Sequence, residues 1–192
     1  MRHAAWIAAA ALSFSLPLGG SFAADWPQYL GPDRMPVSPA SGLAREWPAD
    51  GPRVLWRLPL SEGYSSAVVR DGEVFVLDRI QERTGVLRVL DLETGEQKWT
   101  FEYDEPGRMR YRGARNVPAV DETGVFFVGP FGDFICVDRT TRQARWRWNF
   151  LTDFDAAMPM WQIAQSPLLC GDWVVVCPQG AKAGVAAFDK RT

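Results

Sequence analysis

The chain has 192 residues, 47% of them hydrophobic and 23% charged, a balance that supports a globular core and argues against intrinsic disorder. Its 23 acidic residues outnumber the 21 basic ones, and the resulting net charge of −2 argues against a nucleic-acid partner. The single histidine is His3, so the rest of the chain has no histidine for a catalytic triad or a zinc–histidine site.

The first 23 residues have the pattern of a signal peptide. Arg2 gives a positive start, an apolar stretch covers residues 4–18, and the small residues Ser21 and Ala23 form a signal-peptidase motif. We expect cleavage after Ala23 and a periplasmic or secreted protein with no membrane span after cleavage. The alternative is an uncleaved membrane anchor, for which this apolar stretch is short.

Residues 24–52 are rich in proline and glycine, and they predict an irregular lead-in without chemistry of its own. We expect Trp26 and Trp47 to clamp this segment against the fold. Residues 53–60, Arg-Val-Leu-Trp-Arg-Leu-Pro-Leu, predict an isolated strand that carries Trp56. In a ring-shaped repeat protein such a strand completes the last repeat and closes the sheet edge.

Residues 53–192 contain an internal repeat of the form D-x-x-T-G-x-x-x-W. One copy is complete at residues 91–99, a second is degraded at 138–146, and a third begins at Asp189, just before the sequence ends. The aspartates that begin these copies are 47 and 51 residues apart, a period typical of β-propeller blades. The repeat predicts an all-β protein made of four-stranded antiparallel blades, with about three units of an incomplete propeller.

Alternating apolar residues and turn signals divide each unit into short strands. The first unit predicts strands at residues 65–69, 73–78, 86–91 and 96–102. The second predicts strands at 117–120, 125–128, 134–138 and 144–149, and the third at 166–170, 173–177 and 185–189. We predict no helix after residue 24.

The repeated phrase has a local physical explanation. Asp91 ends a strand and accepts hydrogen bonds from the following backbone, while Gly95 adopts a positive φ and closes the turn. Trp99 then projects from the returning strand and offers a large face to the neighbouring blade. Arg142 replaces the glycine in the second copy, where a positive φ has a cost, so we expect a looser turn or one of another type.

The three cysteines, Cys136, Cys170 and Cys177, form no C-x-x-C pair. We interpret them as small apolar residues on or beside buried strands, with no support for a disulfide or a metal site. Four aspartates in turns or loops are available as acids, but each is explained as a turn or surface residue, and we assign no catalytic residue: Asp133, Asp153, Asp155 and Asp172.

Two connections between units are longer than hairpin turns, and long loops on a rigid scaffold tend to carry function. The first covers residues 104–116 and the second residues 151–165, and a propeller would place both on one face near the central funnel. Together they supply guanidinium groups, thioethers and aromatic rings: Arg108, Arg110, Tyr111, Arg112, Arg115, Met158, Met160 and Trp161.

The two loops predict a site for an anionic ligand or a partner. The candidate residues are Arg110, Arg112 and Arg115, which would fix carboxylates or phosphates, and Trp161, which would stack. The alternative is a solvated loop whose arginines pair with acids such as Asp104 and Glu105.

The phrase at residues 91–99 resembles the tryptophan motif of the pyrroloquinoline-quinone-like (PQQ-like, or quinoprotein-type) propeller. The segments Asp25-Trp26-Pro27-Gln28-Tyr29-Leu30-Gly31-Pro32-Asp33-Arg34 and Gly63-Tyr64-Ser65-Ser66-Ala67 are similar to segments of exported bacterial members of that family. The resemblance extends over almost all of the chain from residue 25.

The resemblance implies one of two functions. Some family members are scaffolds without a cofactor, and others are dehydrogenases that need PQQ, calcium and a catalytic carboxylate. We expect a non-catalytic exported binding or scaffolding module, whose partner is a protein of the cell envelope or the remaining propeller blades, and we predict no cofactor and no metal. The alternative is a fragment of a PQQ-dependent alcohol or sugar dehydrogenase, and only this alternative would require PQQ and calcium.

Overall fold

The computed structural model of the protein describes residues 25–192, so the predicted signal peptide lies outside the described residues. Blade 1 contains β1 (Val68–Arg70), β2 (Glu73–Ile80), β3 (Thr84–Asp91) and β4 (Gln97–Asp104). Blade 2 contains β5 (Ala119–Val120), β6 (Val125–Val128), β7 (Asp133–Val137) and β8 (Ala144–Asn149). Blade 3 contains β9 (Leu168–Cys170), β10 (Trp173–Val176) and β11 (Ala186–Asp189). In each blade, consecutive strands pair antiparallel, which confirms the predicted all-β blades.

The hydrophobic core lies between the blades, because the strands of blade 2 are apolar on both faces. In β6, Val125 and Phe127 join the core shared with blade 1, whereas Phe126 and Val128 join the core shared with blade 3. This alternation follows from the two-residue period of a strand. Blade 2 is therefore held from both sides by burial of apolar surface.

The repeated tryptophans complete these two cores. Trp99 is 8% exposed and packs with residues of blade 2, and the Trp146 ring stacks on Phe188 of blade 3 with centroids 5.9 Å apart. The expectation that these rings pack against the next blade is confirmed.

Ion pairs form a second link between the blades. Arg139 pairs with Glu73 of blade 1 at 3.1 Å, and Lys190 pairs with Asp121 of blade 2 at 2.7 Å.

The turn of the degraded repeat keeps the conformation of the complete one. The amides of Gly95 and Arg142 donate to the carbonyls of Asp91 and Asp138 at 3.0 and 2.8 Å, and both residues have positive φ, 73° and 61°. The prediction of a looser or different turn at Arg142 is therefore wrong. The aspartate side chain accepts two following amides in both copies, and these bonds hold the arginine in the left-handed region.

The predicted strand at residues 53–60 is not formed, because no strand of the described part pairs with it. Its tryptophan nevertheless contacts the repeat. The indole N–H of Trp56 donates to the Leu92 carbonyl at 2.9 Å, and the ring lies over Gly95, where an added Cβ would meet it at 2.5 Å. Trp56 thus covers the β3–β4 turn of blade 1 from outside the blade.

Replacing Gly95 with alanine is expected to lower the free energy of unfolding by about 2–3 kcal/mol. The positive φ alone costs roughly 1–2 kcal/mol for a residue with a Cβ, and the new methyl group would also displace Trp56. Urea denaturation followed by tryptophan fluorescence measures the change. The matched control is Arg142→Gly at the equivalent turn, which should be neutral or slightly stabilising. A loss for Gly95→Ala of no more than about 1–2 kcal/mol, which is the cost of the positive φ alone, would contradict the role assigned to Trp56.

The lead-in begins by crossing the first strands of all three blades. Trp26 forms an antiparallel bridge with Val69 of β1, and the Pro27 carbonyl accepts from the Val120 amide of β5 at 2.8 Å. The side-chain oxygen of Gln28 accepts from the Leu169 amide of β9 at 3.1 Å. Three consecutive residues therefore connect three blades, and of the two predicted clamps only Trp26 lies against the fold. The prediction for Trp47 is wrong, because this side chain is 57% exposed.

One helical turn, α1 (Phe150–Asp153), follows β8 and corrects the prediction of no helix. Asn149 caps it, since its side-chain oxygen accepts from the amides of Leu151 and Thr152, and Asp153 accepts from the Asn149 amide at 2.7 Å. The helix is too short to show a 3.6-residue period in the sequence. Phe150 is buried in the core between blades 2 and 3 and fixes the start of the second long loop.

The cysteines are unpaired, with Cys136 buried and Cys170 and Cys177 exposed. Their placement agrees with the interpretation as residues on or beside strands, although two of the three face solvent. None of the helices among residues 25–192 is long and apolar enough to cross a membrane.

Candidate functional site

The two long connections meet, as the propeller arrangement predicts. The loop after β4 brings Tyr111 to Trp161 of the loop after α1, with ring centroids 5.5 Å apart. Tyr64, which precedes β1, adds a third ring at 6.2 Å from Tyr111 and nearly perpendicular to it. We call these three rings together with Arg110 and Arg115 the aromatic–arginine platform.

The two arginines of the platform have different environments. Arg110 is exposed, and its guanidinium carbon lies 5.8 Å from the Tyr111 centroid and 5.7 Å from that of Trp161. Within residues 25–192 it forms no ion pair, so its hydrogen-bond donors face solvent. Arg115 is committed to the loops, because it donates to the backbone carbonyls of Trp161 and Tyr111. Arg110 can therefore bind a ligand, while Arg115 joins the two loops.

Arg112 lies outside the platform. Its guanidinium pairs with Glu82 in the β2–β3 turn at 3.1 Å, and the same carboxylate lies 3.9 Å from Arg108. The alternative, in which loop arginines pair with acids, therefore holds for Arg108 and Arg112. The acid is Glu82 and not the Asp104 or Glu105 given as examples, because the β2–β3 turn brings Glu82 to the loop and Glu105 is buried with Arg79.

The platform borders a continuous cleft. One part, of about 410 Å³, is lined by Tyr64, Tyr111, Arg115 and Ala164. A second part, of about 390 Å³, shares three of these residues and extends toward the lead-in residues Tyr29 and Arg34. No acidic residue lines either part. The cleft is therefore aromatic and basic in a chain whose net charge is negative.

Backbone contacts hold the first loop in place. The Tyr64 amide donates to the Ala114 carbonyl at 2.7 Å, and Gly113 is so close to Glu62 that an added Cβ would overlap the Glu62 carbonyl oxygen. Tyr64, Tyr29 and Arg34 are site residues that the sequence does not predict. Their segments resemble segments of the family, but neither segment lies in a long loop between blades.

A buried ion pair fixes the start of the same loop. Arg79 of β2 and Glu105 are each 1% exposed in their side chains, and the guanidinium Nε lies 3.1 Å from the carboxylate. Arg79 also donates to the carbonyls of Glu82, Glu105 and Gly107 at 2.7–2.8 Å, and it lies over the Phe131 ring. The β2–β3 turn, the loop and blade 2 are thus joined at one guanidinium.

Burial raises the pKa of Glu105 to about 7, although the Tyr103 hydroxyl and Arg79 both favour its charged form. The folded-state pKa therefore exceeds the value in the unfolded chain, which is about 4.3. Between these two values the folded state binds more protons than the unfolded state. The stability contributed by Glu105 is therefore complete below the unfolded pKa and is lost as the pH rises to about 7.

The predicted loss of stability with rising pH can be tested directly. The free energy of unfolding of the protein should fall by about 2–3 kcal/mol more between about pH 4.5 and pH 7.5 than that of Glu105→Gln, which cannot titrate. Urea denaturation at a series of pH values measures both. Parallel pH profiles would show that burial does not control the protonation of this carboxyl group.

Each of the four aspartates that were weighed as catalytic acids has a defined position in the structure. Asp133 is not a turn or surface residue as expected, since it begins β7, is 8% exposed and pairs with Arg147 at 2.9 Å. The Asp153 carboxylate accepts from the Asn149 amide, Asp172 pairs with Arg191, and Asp155 is exposed. Across residues 25–192, acids, cysteines and histidines form no group of three that could hold a metal ion.

Comparison of the sequence with protein families gives a match over residues 29–192 to the PQQ-like family described as outer membrane protein assembly factor BamB. No curated protein sequence matches the chain. Among solved structures, quinohemoprotein alcohol dehydrogenase from Pseudomonas putida HK5 has a TM-score of 0.50 and 22% identity, over 71% of this chain and 20% of that one. The corresponding enzyme from Comamonas testosteroni has a TM-score of 0.50 and 21% identity, over 69% and 20%.

BamB from Moraxella catarrhalis has a TM-score of 0.48 and 17% identity, over 72% of this chain and 36% of that one. The chain thus spans about a fifth to a third of the length of these structures. At such identities the two dehydrogenases support the propeller fold and nothing finer. The family match covers most of the chain, and it agrees with the blades, the repeated turn and the inter-blade tryptophans. The chain therefore belongs to the PQQ-like β-propeller family that is described as the outer membrane protein assembly factor BamB.

Proposed function

We propose that the protein is a non-catalytic binding or scaffolding module outside the cytoplasm, and that it binds a protein partner of the cell envelope through the aromatic–arginine platform. The observation that carries the proposal is the pair of loops that meet to present three rings beside the unpaired guanidinium of Arg110. Aromatic and arginine side chains are the residues that most often dominate binding energy at protein interfaces.

Three further observations support this function. The family is described as an assembly factor of the outer membrane, and the signal-peptide pattern of residues 1–23 favours export from the cytoplasm. The loops are tied to each other by Arg115 and to blade 1 by the Arg79–Glu105 pair, and these contacts favour a platform that is formed before a partner arrives. A preformed surface loses less conformational entropy on binding.

The experiment is site-specific photo-crosslinking in intact cells. A benzophenone amino acid replaces Tyr111 or Trp161 in the platform, and it replaces Trp47, which is also exposed but lies in the lead-in, as the matched control. The proposal expects an adduct with the same envelope protein from both platform positions and none from position 47. Adducts of equal yield from all three positions, or none from the platform, would contradict it.

A further inference from the structure

The cleft has an electrostatic character opposite to that of the whole chain. Its lining includes Arg34 and Arg115, Arg110 lies on the adjoining rings, and no carboxylate faces it. Arg115 is occupied by backbone carbonyls, but Arg34 and Arg110 are exposed and form no ion pair with any residue from 25 to 192. One free guanidinium group, that of Arg34, therefore lines the cleft, and a second, that of Arg110, lies beside it on the rings of Tyr111 and Trp161.

Two other polar side chains of the cleft are already used by the fold. The Gln165 side chain donates to and accepts from the Cys177 backbone at 2.8 Å, and the Ser166 hydroxyl accepts from the Val117 amide at 3.1 Å. The groups left to contact a ligand are the two guanidinium groups, the Ser66 hydroxyl and the rings of Tyr29, Tyr64 and Tyr111. Guanidinium groups bind carboxylates through paired, charge-assisted hydrogen bonds, and aromatic surfaces bind proline rings in extended segments.

We infer that the cleft binds an acidic, proline-containing extended segment of the protein partner, with carboxylates on Arg110 and Arg34 and prolines on the tyrosine rings. This inference rests on the proposed function and adds the chemistry of the bound segment. Charge complementarity identifies the occupant, because an acidic segment removes the repulsion between unpaired cations and a basic segment would increase it. An extended segment leaves its backbone free of internal hydrogen bonds and loses little conformational freedom on binding.

The test is fluorescence anisotropy of the purified protein with a fluorescein-labelled Glu-Pro repeat peptide. We expect saturable binding that weakens as salt is raised, and no binding of the matching Lys-Pro peptide. Arg34→Ala and Arg110→Ala should each weaken binding about tenfold, the loss expected for one charge-assisted contact. Arg108→Ala removes an equally exposed arginine outside the cleft and should change nothing.

Three results would overturn the inference. They are no binding of the Glu-Pro peptide, equal binding of an uncharged Ser-Pro peptide, and binding that is insensitive to both arginine substitutions. Stronger competition by an oligonucleotide or a sulfated oligosaccharide than by unlabelled peptide would assign the cleft to a different anionic polymer. If crosslinking to an envelope protein persists at Tyr111 in Arg34→Ala and Arg110→Ala, the proposed function stands and only the acidic-segment inference fails.

Discussion

Replacing Arg79 with methionine should lower the free energy of unfolding by about 3–5 kcal/mol, the largest loss expected from a single substitution in this protein. Methionine keeps most of the side-chain volume but leaves Glu105 buried without its cation. It also leaves three backbone carbonyls without the guanidinium donor. A buried polar group without a partner carries its full desolvation cost.

The loss should depend on pH. At about pH 5 the carboxyl group of Glu105 is protonated and neutral with or without Arg79, because its folded-state pKa is about 7, so the loss is mainly that of hydrogen bonds. At about pH 8 the carboxyl group in the variant must either carry a buried, unpaired charge or stay protonated far above its ordinary pKa. Either state costs free energy, so the loss of stability is larger than at about pH 5. The double variant Arg79→Met with Glu105→Leu should recover part of the stability.

Urea denaturation of the three proteins at both pH values measures these differences. The surface control is Arg191→Met, whose pairing with Asp172 is largely exposed and should be worth less than about 1 kcal/mol. A loss for Arg79→Met no greater than that of the control would show that the buried pair does not hold the loop.

The second large effect is expected at Gly113. Replacing it with alanine would place the new methyl carbon against the Glu62 carbonyl oxygen, at a residue whose φ is 91°. Because backbone cannot yield as a flexible side chain can, the loop after β4 must move away from residues 61–64. We expect a loss of about 2–4 kcal/mol in stability and loss of the contact between Tyr64 and Tyr111.

Gly72→Ala is the matched control for Gly113→Ala. It too has a positive φ, 72°, but an added Cβ would meet nothing within 4 Å. It should therefore cost only about 1–2 kcal/mol and leave the platform intact. Binding of the Glu-Pro peptide separates the two variants. If Gly113→Ala binds as well as Gly72→Ala, the close backbone approach does not position the platform.

Much of the fold could be predicted because its signals are local. The two-residue apolar period and the Asp-to-Gly turns place the strands of all three blades to within a few residues. Arg142 shows where local propensity fails, since the side chain of Asp138 and the strand pairing impose the glycine conformation on it. The helix at Asn149 was missed because one capped turn has no period.

The site could be predicted only in part, since it depends on contacts between segments distant in sequence. Long loops and blade geometry predict a site of Arg110, Arg112, Arg115 and Trp161. The structure brings Arg110, Arg115 and Trp161 together and places Arg112 outside, on Glu82. Which arginine would be free could not be predicted. Glu82 pairs with Arg112, and the Trp161 carbonyl accepts a hydrogen bond from Arg115. Both contacts depend on how the β2–β3 turn and the loop after α1 fold against the loop after β4.

Calorimetric titration of PQQ, with calcium, into the natural protein distinguishes a PQQ-like propeller that acts as a binding module from a dehydrogenase. For a binding module we expect no calcium-dependent heat of binding from a sample that melts cooperatively and binds its envelope partner. Tight, calcium-dependent binding of PQQ would overturn the proposed function and favour a PQQ-dependent dehydrogenase instead.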